Sequence, residues 1–122
     1  MVTQVKEAPS EGERLVAVNE VHLVGRVAAE PVELTLPSGD QLVTFRVTVD
    51  RSGTTTRQRV DALECSAWTA RVRRSVGRWR VGDVVEVHGA IRRRFYRTAA
   101  GTGSRVEIEV SRGRLIRRAR DA

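Results

Sequence analysis

Arg92, Arg94 and Tyr96 recur at every second position of one run. An extended backbone therefore sends all three side chains off the same side of a sheet. Trp68 ends a second run on its outward parity, and Arg46 is outward on a third; Arg59 and Arg97 extend the set. Arginine forks onto phosphate oxygens and also lies flat against rings. Aromatic faces accept unpaired bases, at roughly 1–3 kcal/mol for each base stacked. These residue types on shared strand faces suit an unpaired polynucleotide, held by its backbone and ring faces rather than by base edges. The alternative for Trp68 and for Tyr96 is a packing position that closes a barrel end, and for the arginines a solvated face.

Other chemistry finds little support. His22 and His88 fall in separate strands, with no Cys, Asp or Ser arrangement beside either that suggests activation, and His88 reads as a surface or interface residue. Glu107 and Glu109 alternate on what reads as a strand's wet face, and the glycines of GTTTRQ and GTGS mark hairpin tips rather than a phosphate cradle. No enzyme and no cofactor is expected. Cys65 is the single cysteine, which excludes an internal disulfide and a site built of several thiolates. Its place in LECSA suggests a buried structural thiol.

The net charge is +7, with −2 over residues 1–30 and +9 over the remainder. Lys6 is the only lysine; every other basic residue is arginine. A GC-rich genome also raises Arg over Lys, but not the positive excess, which points to a polyanionic partner. No run is apolar for long enough to cross a bilayer, and the first residues lack the basic-then-apolar layout of a secretory signal. A cytoplasmic, nucleoid-associated protein without a membrane partner is the expectation.

The elements that must hold these residues can be read from alternation and turn signals. Residues 1–18 form a leader, 19–118 one domain and 119–122 a short end. Val21, Leu23, Gly25 and Val27 alternate with His22, Val24 and Arg26, and Gly25 suggests a bend or a close backbone approach. Glu30-Pro31 interrupts the pattern, and Pro37-Ser38-Gly39-Asp40 is a turn. In the next strand Val43, Phe45, Val47 and Val49 face the core, with Leu42, Thr44, Arg46 and Thr48 outward. Residues 51–58 form a hairpin loop. Leu63, Cys65 and Ala67 then point inward and Ala62, Glu64, Ser66 and Trp68 outward. A short helix follows, capped by Thr69, with Trp79 behind it as a packing anchor. In the fourth strand Val85, Val87, Ile91 and Phe95 are expected inward, with a bend at Gly89; residues 98–104 are a loop. Val106, Ile108 and Val110 face in on the last strand. Three strands, a helix and two strands make an all-β, five-stranded oligonucleotide-binding (OB) Greek-key barrel. An SH3-like barrel or an open sandwich is the alternative.

Three stretches resemble the bacterial single-stranded-DNA-binding protein (SSB) family. Asn19-Glu20-Val21-His22-Leu23-Val24-Gly25-Arg26-Val27, with Pro31 soon after, is similar to the family's opening strand. Pro37-Ser38-Gly39 followed by residues 43–48 is similar to the start of its second strand, and residues 79–92, with Gly82 and Gly89 in register, to the start of its fourth. The resemblance spans about residues 19 to 118. It implies an OB fold, homotetrameric or dimeric assembly, and sequence-tolerant binding of single-stranded DNA in replication, repair or recombination. It also implies that Trp68 and Tyr96 are stacking platforms. Ala62, Glu64 and Gly53 stand where the family carries a stacking Trp, a base-contacting Arg and a loop Trp, which implies weaker binding or a smaller site. The acidic-tipped tail that recruits partners in the family is not found, so a divergent paralogue is expected and recruitment by that route is in doubt. Two readings compete with this one. The first is an adaptor resembling the primosomal replication-restart proteins, working mainly through protein contacts; the second is an RNA-binding OB module.

Overall fold

A computed structural model describes residues 15–53, 57 and 59–120 of the chain. The elements are β1 (Val21–Thr35), β2 (Gln41–Asp50), β3 (Val60–Ala67), α1 (Ala70–Val76), β4 (Val84–Thr98) and β5 (Gly101–Arg117). The strands close in the order β1-β2-β3-β5-β4, and β4 pairs back onto β1. All neighbours are antiparallel except β3 and β5, whose parallel contact is confined to Cys65↔Ile108 and Ser66↔Glu109. A closed five-stranded barrel with one short helix between the third and fourth strands is the OB layout. Half of the expected loop at residues 51–58, positions 54–56 and 58, lies outside the described residues.

Inward alternation on every strand fills the barrel. Val27, Val43, Phe45, Val47, Cys65, Val85, Val87, Ile108 and Val110 form one cluster. Helix α1 plugs an open end of the barrel. Thr69 accepts the Val72 N–H at 3.3 Å as its cap, and Val72 and Val76, one turn apart, enter the core. Trp79 completes the plug, edge-on to Phe45 with ring centroids 5.3 Å apart. Burial, and then the neighbouring Glu64 and Glu107 carboxylates, push the Cys65 thiol up to about 12, so it stays a packing group.

Gly25 and Gly89 are the points where two strands press together. A Cβ on Gly25 would collide with the Thr48 carbonyl, and one on Gly89 with the Glu109 carbonyl. Gly89→Ala is expected to cost about 1–3 kcal/mol, the usual penalty for overpacking. Urea unfolding should show it as a lower midpoint at unchanged slope; an unshifted midpoint would mean the strands separate at no cost.

Several expected facings are corrected. Glu30-Pro31 does not break the first strand; register shifts between Val27 and Val32 absorb it as a bulge. Ile91, Phe95 and Val106 are exposed, Phe95 at 76%. The cause is length: β4 and β5 run 15 and 17 residues against 8 in β3, so their far halves leave the barrel as a two-stranded arm with no core beneath. The expected 98–104 loop is a tight turn at Ala99-Ala100, and β5 begins at Gly101. Leu42 and Ser66, expected outward, are buried, as is Glu107.

Candidate nucleic-acid interface

The arm and the barrel wall enclose a groove of about 370 Å³. Trp68, Arg94, Phe95, Tyr96, Arg105 and Glu107 line it, with Leu34, Leu36 and Leu42 at its apolar side. Trp68 reaches the groove because β3 ends at Ala67 and helix α1 is capped at Thr69, which leaves the indole on the rim between them. Its Nε1 donates to Ser66 Oγ at 3.1 Å, and the buried Ser66 thereby fixes the ring's tilt. The guanidinium of Arg94 lies 4.8 Å from the indole centroid, a cation–π contact that covers one face.

Tyr96 stands opposite Gly103 across the arm. A Cβ at Gly103 would sit 2.6 Å from the tyrosine ring, so the ring lies flat on bare backbone. With the residue 48% exposed, its other face is available to a planar ligand. Phe95 also borders the groove, but its opposite parity sends its exposed ring off the other side of the strand. Strand parity had placed Phe95 in the core; the mismatch in length between β3 and β4 is the sequence signal that such a hairpin outruns its barrel.

The arginines are less free than their number suggests. Arg94 donates to Glu109 Oε1 at 2.6 Å, and its Nε lies 3.3 Å from Glu107 Oε1. That second contact is ionic without hydrogen-bond geometry; neither atom has a hydrogen-bond partner, and Glu107 Oε1 also lies 3.9 Å from Arg105 Nε. Arg92 donates to Glu109 Oε2 at 3.2 Å. Burial pulls the Glu109 carboxyl up, but hydrogen bonds from Arg94 and Arg92 outweigh it and hold the group below the ordinary carboxylate range. Arg46, on the outer face of β2, donates to Glu64 at 2.6 Å. Glu64 thus occupies the position where the family resemblance expected a cation, and it neutralises the cation beside it. Arg59 lies at the foot of β3 and Arg97 near the tip of the arm; both are exposed, and neither lines the groove.

The structure therefore brings Trp68, Arg94 and Tyr96 to one groove, sets Arg92 next to them through Glu109, and leaves Arg46, Arg59 and Arg97 apart from it. It also stacks His22 on His88, which the sequence had left in unrelated strands.

A family model described as the single-strand binding protein family matches residues 18–116. No curated protein matches the sequence. Among solved structures, a Plasmodium falciparum SSB complex with ssDNA aligns with a TM-score of 0.65 at 24% identity, over 86% of this chain and 98% of that one. The mitochondrial single-stranded DNA binding protein Rim1 of S. cerevisiae aligns with a TM-score of 0.64 at 13% identity, over 85% and 100%. At these identities the likeness establishes the shared barrel. The family match itself runs from just before β1 almost to the end of β5, across every strand of that barrel and its helix, and on it the chain belongs to the single-strand binding protein family.

Proposed function

We propose that this chain binds single-stranded DNA without reading its sequence, as a binding protein rather than an enzyme, in replication, repair or recombination. The observation that carries the reading is the groove in which Trp68 and Tyr96 offer ring faces beside Arg94 and Arg105. Every base has a face, so stacking discriminates little between bases. The ssDNA in the Plasmodium complex and the family match support the same reading. Assembly as a tetramer or dimer belongs to it; solution mass measures this.

The test is titration with a dT oligonucleotide at two salt concentrations, read by fluorescence. Trp79 is buried, so quenching reports on Trp68. Affinity should fall with salt, with a slope of about 0.7 per phosphate contacted; binding indifferent to salt would refute a phosphate-tracking groove. Glu64→Gln releases Arg46 and is expected to tighten binding and to steepen the slope by about 0.7. An unchanged slope would place Arg46 off the path of the strand.

The adaptor reading draws on a specific observation: Arg46, Arg92 and Arg94 are already paired with carboxylates. Micromolar or weaker dT binding by a dimer that co-purifies with a replication protein would favour it. Competition between dT and rU oligonucleotides separates the RNA reading.

A further inference from the structure

We propose that His22, Glu86 and His88 bind a divalent transition ion of the zinc class on the outer face of the β1–β4 seam.

His22 and His88 are direct cross-strand partners in the antiparallel β1–β4 pair. Glu86 precedes His88 by two residues, so strand alternation puts it on the same face. The two imidazoles lie parallel within 8°, their centroids 4.2 Å apart. His22 Nε2 lies 2.7 Å from Glu86 Oε2, and His88 Nε2 lies 3.9 Å from that same oxygen. One donor atom from each residue falls within 4.8 Å of the others. These are the only two histidines in the chain, and they converge on one carboxylate oxygen.

The spacing suits an ion. Zinc takes imidazole nitrogen and carboxylate oxygen at about 2.0–2.2 Å in tetrahedral geometry, which sets donors about 3.3 Å apart. The 2.7 Å contact must open and the 3.9 Å contact close, each by about half an ångström, and the two stacked rings must tilt so that their donor nitrogens draw together from up to 4.8 Å. Side-chain rotations supply this without moving the strands, since His22 is half-exposed and His88 partly so. The other oxygen of Glu86 accepts from Arg114 Nε at 3.0 Å. Arg114 thereby fixes the carboxylate and leaves a single oxygen for the ion, the part a supporting contact plays around a bound metal. At 3.9 Å His88 Nε2 makes no hydrogen bond to Glu86, so one donor is uncommitted. Two imidazoles and one carboxylate select borderline ions; calcium and magnesium require oxygen throughout. Three protein ligands leave a fourth position, on the solvent side, for water.

A bound ion would clamp β1 to β4, the pair that completes the closure of the barrel. Because the unfolded chain lacks the site, binding would raise the unfolding temperature with ion concentration. The full chain, stripped with EDTA, is titrated with Co2+ followed by displacement with Zn2+, and melted with and without Zn2+. The expected result is saturable binding of one Co2+ per chain with a tetrahedral visible spectrum, displacement by Zn2+, and a Zn2+-dependent rise in melting temperature. His22→Ala and His88→Ala should each weaken binding by more than about tenfold, beyond the lower bound for losing a supporting contact. Each should also abolish the Zn2+-dependent rise. Metal-free melting of both variants should stay near that of the parent, which separates a lost ligand from a damaged fold. Absence of saturable Co2+ or Zn2+ binding, or binding that survives in the His22→Ala/His88→Ala double variant, would overturn the proposal. Cys65 is buried and does not compete as a ligand.

Discussion

Trp68→Ala combined with Tyr96→Ala is expected to weaken dT binding by roughly 30-fold or more, measured by anisotropy of a labelled oligonucleotide. On the proposed function each platform would stack one base, at roughly 1–3 kcal/mol per base, and about 1.4 kcal/mol is a factor of ten. The two rings are braced independently: Trp68 by Ser66 and Arg94, Tyr96 by the bare backbone of Gly103. Their losses should therefore add rather than overlap. Tyr96→Phe keeps the ring and should bind nearly as the parent does, which separates stacking from any part played by the hydroxyl. Phe95→Ala tests whether the strand also reaches the far side of the arm. Because Phe95 is exposed, the variant should fold normally, so a fall in affinity would report contact with the strand. A double variant that binds as the parent does would remove the groove from the DNA path altogether.

Asp83→Ala is expected to destabilise the chain by roughly 2–4 kcal/mol, as two part-buried N–H groups lose a carboxylate acceptor, each towards the lower end of about 1–3 kcal/mol. Asp83 is buried beneath the turn that leads into β4. Its carboxylate accepts the Arg80 N–H at 2.9 Å and the Ala119 N–H at 2.8 Å, and pairs with Arg118 at 2.9 Å. Its own carbonyl accepts from Val27 N. One residue thus ties β1, through its carbonyl, to the turn before β4 and the segment after β5, through its side chain. Burial alone would pull its titration up; hydrogen bonds from Ala119 and Arg80, then Arg118, outweigh it and leave the carboxyl below its ordinary value. A depressed native value means a stabilising contribution present at neutral pH and lost as pH falls through that value. Acid unfolding of Asp83→Asn should therefore be shallower than that of the parent. An acid limb of unchanged slope would mean that another carboxylate controls it. Arg118 is about half-exposed, so its share of the pairing is small and is screened further by salt.

The barrel was legible because its information is local. Alternation of Val43, Phe45 and Val47, the Thr69 cap, and the glycines at 25 and 89 each dictate a strand face, a helix start or a close approach without reference to the rest of the chain. What alternation could not show was where the core ends. Ile91, Phe95 and Val106 keep inward parity, but no opposite wall exists at their height, so the same rhythm that buries Val87 exposes Phe95. Leu42 and Ser66 show the converse: they have outward parity, yet Leu42 lies at the groove with Trp68, whose indole Nε1 bonds to Ser66. Pairing among charges was equally hidden. Glu64 and Arg46 are eighteen residues apart and meet only once β2 and β3 take their register. His22 and His88 meet only through the closure of β1 on β4, which no local signal encodes.

The arm formed by the far halves of β4 and β5 has a mechanical consequence. Two strands alone hold little intrinsic stability, whereas the rim that carries Trp68 is anchored to the close-packed interior. One jaw of the groove is stiff and the other compliant. On the proposed function, a compliant jaw would settle against a purine or a pyrimidine at small cost, and tolerance of nucleotide size would lie in the length of a hairpin rather than in any side chain.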